Sequence, residues 1–175
     1  MSVRDILLLG NPVLRSTCTK VKSFSDPEVG TVITDLRDTL GAFRSAHGFG
    51  RGIAAPQIGV TRRILFIHLE QEFALINPEI VKKSKRIMTL WDDCFSFPDI
   101  LVKVRRHVSI SVAYRDEHGA RRTFEATGGL SELLQHEIDH LNGVLFIDHI
   151  SKLKRDRVIK KFTKAAKQAG KRPAK

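Results

Sequence analysis

Apolar residues recur three or four apart between residues 26 and 46, at Val29, Val32, Ile33, Leu36, Leu40 and Phe43. Only a helix gathers that spacing on one face. Asp26 can cap its start, Pro27 suits its first turn, and the glycines at 48, 50 and 52 end it. A second helical pattern begins near Leu130, carries Leu134, Ile138 and Leu141, and ends at Asn142-Gly143. Between the two, the pattern shortens to runs of strand type: RRILFIHL (62–69), FALINP (73–78), ILVKV (100–104) and HVSISVAYR (107–115). DEHGA (116–120) reads as a hairpin turn and RRTFEAT (121–127) as its returning strand. The opening MSVRDILLLGNPVLR predicts a first strand and a turn. A last helix, about residues 151–168, holds Leu153, Val158, Ile159 and Phe162 among lysines. This order predicts one α+β domain of short antiparallel or mixed strands around the second helix, plus a basic C-terminal helix.

Composition narrows the class. The 175 residues are 42% hydrophobic, enough for one buried core. No apolar run approaches the roughly 20 residues that span a bilayer, and the opening stretch lacks a small-residue cleavage site. Two cysteines, Cys18 and Cys94, are too few for a disulfide framework, so a reducing cytoplasm is expected. Of the net +11, residues 151–175 supply eleven bases against the single acid Asp156. The chain therefore divides into a nearly neutral body, 1–150, and a positive tail, 151–175. Such a tail is drawn to phosphate-rich surfaces, or is simply a solvated end.

The chemistry sits in QHEIDHLNG (135–143). At about 100° per residue His136 and His140 stand about 40° apart on their helix, so both imidazoles can meet one ion, with Glu137 beside them as a base. A third ligand is required. The extended pattern HExxHxxGxxH is followed only to Gly143, with Phe146 where its last histidine would stand, and His149 lies past the helix end. Cys94, set among the polar Asp92, Asp93 and Ser96, would complete a Cys-His-His set and leave a fourth position for water. Cys18 reads as packing. GFGRG (48–52) is no nucleotide loop, since no Lys-Ser/Thr follows and no Rossmann strand precedes it. Close approach of an extended peptide suits it better. Trp91 is expected in the core or as a pocket wall.

Three stretches together resemble the peptide deformylases: GRGIAAPQ (50–57), DDCFS (92–96) and QHEIDHLNG (135–143), with ILLLGNPVLR and LINPEI as further likenesses. The resemblance implies that Cys94, His136 and His140 hold one metal ion, Fe2+ natively with Zn2+ or Ni2+ as substitutes. It implies that Glu137 is general base and then acid, and that Gln57 and the backbone N–H of Phe95 stabilise the oxyanion formed from an N-formylated peptide. It also implies a substrate groove at Gly50, Arg51, Gly52, Asp93, Gly129, Glu132 and Leu133, and docking of residues 151–175 on the ribosome. No membrane and no nucleotide cofactor are implied. Asp139 would orient a histidine or pair with Arg106.

Four positions depart from the resemblance. Asp93 stands for a usual glycine, Arg51 for an aliphatic residue, Glu132 for an apolar pocket residue and Gly129 for a leucine. Either the charges pair with one another, Arg51 with Asp93 or Glu132, or the pocket's preference has changed. The alternatives to deformylation of nascent chains are an amide hydrolase of altered preference and a non-catalytic ribosome- or RNA-binding relative.

Overall fold

The computed structural model describes residues 3–169. The first helix, α1 (Pro27–His47), starts where Asp26 accepts a hydrogen bond from the Glu28 N–H at 3.0 Å, and ends at Gly48 in the left-handed conformation. Its inward stripe of Val29, Val32, Ile33, Leu36 and Leu40 packs on the central sheet. That sheet has five strands in the order β1 (Gly52–Ala54), β2 (Ile64–His68), β3 (Glu72–Lys83), β6 (Ser109–Arg115) and β7 (Arg121–Thr127), each antiparallel to its neighbour. β4 (Ile87–Asp92) and β5 (Val102–His107) form a separate antiparallel ribbon. The architecture is thus α+β.

The helix α2 (Gly128–Leu141) lies between the sheet and the ribbon. Leu133, Leu134, Ile138 and Leu141 join Leu65, Ile67 and Val112 in one apolar cluster, so the core face read from the sequence does pack. Gln135 ties the ribbon to α2: its amide donates to the His107 carbonyl at 2.9 Å and its oxygen accepts from the His107 N–H at 3.0 Å. α3 (Lys152–Ala169) follows a 3-10 turn, Phe146–His149, and lays Val158 and Ile159 against a third apolar cluster around Phe97 and Phe146.

Some expectations change. The N-terminal residues form no strand among the described residues. Instead, extended chain donates from Leu7 to the Gln57 carbonyl at 2.8 Å and from Leu9 to the Ser96 carbonyl at 2.9 Å, before a 3-10 turn at Pro12–Arg15. β3 runs five residues past the expected end at 78, and β4 is unforeseen. Trp91 is neither core nor pocket wall. It is 62% exposed, on the outward face of β4, with the Lys103 ammonium 6.0 Å from its ring centre. No helix among the described residues is long and apolar enough to cross a membrane.

Candidate metal centre and active site

Cys94, His136 and His140 are all buried, and their ligand atoms lie within 4.8 Å of one another. The Cys94 sulfur is 3.2 Å from His140 Nε2, which is itself 3.2 Å from His136 Nε2. α2 supplies the two imidazoles one turn apart, and the loop after β4 supplies the sulfur. Three donors packed this closely, two of nitrogen and one of sulfur, repel or compete unless a cation sits among them, so the residues fit a divalent ion.

The surroundings prepare the imidazoles for that task. His136 Nδ1 lies 2.8 Å from Asp92 Oδ1, which sets the tautomer with Nε2 facing the other ligands. Burial opposes a charge on His136, but Asp92 outweighs it and raises the pKa well above the ordinary value, so the pocket favours a positive charge here, and a cation bound at Nε2 would take the place of the ring proton. His140 goes the other way. Burial and the neighbouring His136 push it down to about 3, which keeps it the neutral imidazole that a metal requires.

Asp92 is itself held. Its second oxygen accepts from Arg106 at 3.0 Å, and Arg106 also pairs with Asp139, which meets His149 at 2.7 Å. Burial disfavours the Asp92 charge, yet His136 and Arg106 prevail and hold its carboxyl below the usual carboxylate range. Asp139 therefore pairs with Arg106, as one of its two expected roles had it, and Asp92 orients the histidine. Asp92 and Gln135 were given no such roles by sequence. The signal for Asp92 lies in β5: Val102, Val104 and Arg106 share its inward face, and a buried guanidinium demands a buried acid.

Glu137 is buried with Oε2 unpartnered among the described residues. Burial pushes its carboxyl up to about 7, against the opposing pull of His136, which poises it to exchange a proton near neutrality. It approaches the sheet edge so closely that a Cβ at Gly52 would stand 3.0 Å from its Oε1 and 3.0 Å from Ile67 Cδ1, so a side chain there would press on both. Gln57 is oriented with equal care. Its oxygen accepts from the Ala54 N–H at 2.8 Å, so its amide nitrogen turns toward Cys94 at 3.5 Å and Ser96 at 3.4 Å.

A cavity of about 380 Å³ opens over this group. Gln57, Cys94, His136 and Glu137 line it on the metal side, and Gly50, Arg51, Gly52, Phe95, Glu132 and Leu133 line it further out together with Arg44 and Phe49, with Asp93 at an exposed position. Gly129 and His140 do not line it. Gly129 accepts a hydrogen bond from Arg51 through its carbonyl, and His140 is buried with its Nε2 against the Cys94 sulfur. Arg51 forms an ion pair with Glu132 at 2.7 Å, so of the two partners expected for it the acid on α2 is the one it meets. Cys18 packs in the core, where burial pushes its thiol up to about 11, consistent with an inert role.

Residues 3–156 match the family model described as Polypeptide deformylase. A peptide deformylase of Agrobacterium fabrum is 46% identical over 173 residues, covering 95% of this chain and 98% of that relative. Among solved structures, a peptide deformylase from Legionella pneumophila superposes with a TM-score of 0.86 at 34% identity, covering 98% of this chain and 99% of its own. One from Ehrlichia chaffeensis in complex with actinonin gives 0.85 at 33% identity, covering 94% and 98%.

Proposed function

This chain belongs to the polypeptide deformylase family, and from that premise we propose how its own residues carry out the family's reaction. It is a metal-dependent hydrolase that removes the formyl group from the N-terminus of new polypeptides. Cys94, His136 and His140 would hold the ion, one per chain. A divalent ion there supplies Lewis acidity and brings the pKa of water down to roughly 7. We propose Fe2+ as the native ion, with Zn2+ or Ni2+ able to replace it, since two imidazoles and a thiolate suit all three.

The remaining work falls to side chains already in place. Glu137 accepts a proton from the attacking water and passes it to the amine as the C–N bond breaks, releasing formate and a free N-terminus. Burial raises this carboxyl above the ordinary range, and its Oε2, unpartnered among the described residues, leaves it able both to take and to give a proton. Gln57 Nε2 and the Phe95 backbone N–H donate to the formyl oxygen as it gains charge. Among the described residues β1 pairs with β2 alone, so its outer edge, led by Gly50-Arg51-Gly52, is available to an extended peptide as an added strand. The convergence of the three ligand atoms beside a buried glutamate carries this reading. The decisive experiment is metal analysis of anaerobically purified protein together with formate release from formyl-Met-Ala-Ser. Protein that binds one equivalent of iron and releases no formate would refute it.

The proposal extends to the tail, taken as a unit apart from the catalytic body 1–150. Lys152, Lys154, Arg157, Lys160, Lys161 and Lys164 are exposed on α3 while Val158 and Ile159 pack inward, which leaves a cationic face suited to ribosomal RNA. The end of that docking segment, residues 170–175, lies outside the described residues. Deleting residues 151–175 should abolish co-sedimentation with ribosomes at low salt and spare turnover of short formyl peptides. Truncated protein that still pellets would overturn the docking role. Both the substrate and the partner suit a cytoplasmic protein.

A further inference from the structure

The formyl carbon of a substrate is three bonds from the Cβ of the residue that bears it. The first side chain must therefore enter the same cavity that Gln57, Cys94 and Glu137 line, and meet Arg51, Glu132 and Leu133 there. Arg51 stands one residue before β1 and Glu132 one turn before His136, so their ion pair spans the gap between sheet edge and helix. The Glu132 side chain is 9% exposed and that of Arg51 46%. Arg51 also donates to the Gly129 carbonyl at 3.2 Å. A Cβ at residue 129 would lie 3.6 Å from the same guanidinium nitrogen, at ordinary contact distance, so the guanidinium lies directly over Gly129. These three of the four departing residues are thus one structural unit: Arg51 lies over Gly129, bonds to its carbonyl and is anchored by Glu132.

Of the five N–H donors of Arg51, two are engaged by Glu132 and Gly129 among the described residues. The rest are left for water or a ligand. An apolar tip laid against them displaces water without replacing its hydrogen bonds, whereas a tip of similar length that accepts hydrogen bonds replaces them. Resting on the deformylase reading of this site, we propose that the Arg51–Glu132–Gly129 unit selects N-formyl peptides whose first side chain ends in a hydrogen-bond acceptor. Methionine sulfoxide, which keeps the length of methionine and adds one strong acceptor oxygen, is the best match, and glutamine is a second. Methionine itself is turned over less efficiently than its sulfoxide.

The test compares formyl-Xaa-Ala-Ser peptides with Xaa as methionine, norleucine, methionine sulfoxide and glutamine, using iron-loaded full-length protein. In wild type the sulfoxide should exceed norleucine in kcat/KM by about tenfold, the worth of one or two good hydrogen bonds. In the double variant Arg51→Leu, Glu132→Leu that preference should vanish or reverse. Calorimetric binding of the unformylated products, Met-sulfoxide-Ala-Ser against norleucine-Ala-Ser, should show the same ordering without turnover. Should the double variant fail to fold, the wild-type comparison still decides. Norleucine equal to or better than the sulfoxide in both turnover and product binding overturns the proposal and leaves the deformylase reading standing. Absence of formate from every peptide overturns both.

Discussion

Replacing Glu137, the proposed general base, should stabilise the metal-free fold. Glu137 is buried, and its carboxyl is raised from 4.5 to about 7. A raised acid favours the unfolded chain once pH exceeds the unfolded value, because there the carboxyl ionises freely. Stability from this group is therefore intact below about 4.5 and lost as pH rises to about 7. At about 1.4 kcal/mol per unit the loss is about 3 kcal/mol at pH 8, a large share of a small domain's stability. Glu137→Gln keeps the shape and the hydrogen-bonding capacity of the neutral acid, so it escapes that loss. The measurement is urea unfolding of chelator-stripped protein, wild type against Glu137→Gln, at pH 5 and pH 8. The variant's advantage should be small at pH 5 and about 3 kcal/mol at pH 8, while formate release by the reloaded variant is abolished. An advantage independent of pH would refute the argument, because it would mean that the Glu137 carboxyl is not held neutral by burial.

Two further substitutions probe the rest of the site. Asp92→Asn leaves His136 without its charged acceptor and Arg106 with Asp139 alone, and metal affinity should fall 10- to 100-fold in a chelator competition. Unchanged affinity would mean that the histidine is oriented by packing. Gln57→Ala removes a donor oriented by the Ala54 N–H and should lower kcat by roughly 10²- to 10³-fold with little change in KM. A rise in KM at constant kcat would assign Gln57 to substrate binding.

Local signals carried much of the fold and the site. α1 announces itself by Asp26-Pro27 and its apolar stripe, and it runs from Pro27 to His47. His136 and His140 share a helix face by spacing alone, and Cys94 stood out by its polar neighbours. What escaped was non-local. β4 gains its identity from pairing with β5, which no window of sequence contains. The role of Asp92 depends on His136, 44 residues later, and on Arg106 brought round by the ribbon. The N-terminal apolar run reads as a strand because its backbone is extended, but its hydrogen bonds go to two separate loops and no ladder forms. Trp91 carries a core residue's composition, yet the alternation of β4 that buries Asp92 turns it outward.

The same N-terminal segment has a practical consequence. The Leu7 N–H grips the carbonyl of Gln57 and the Leu9 N–H that of Ser96, so a few residues at the front of the chain brace both the 3-10 turn of Gln57 and the loop that carries Cys94, the proposed metal ligand. Trimming or crowding this lead-in, as a short fusion peptide would, slackens two walls of the reaction chamber at once and also strips Ile6, Leu7 and Leu9 from the apolar clusters they pack on. Preparations that differ only in their first ten residues should not be assumed interchangeable as catalysts.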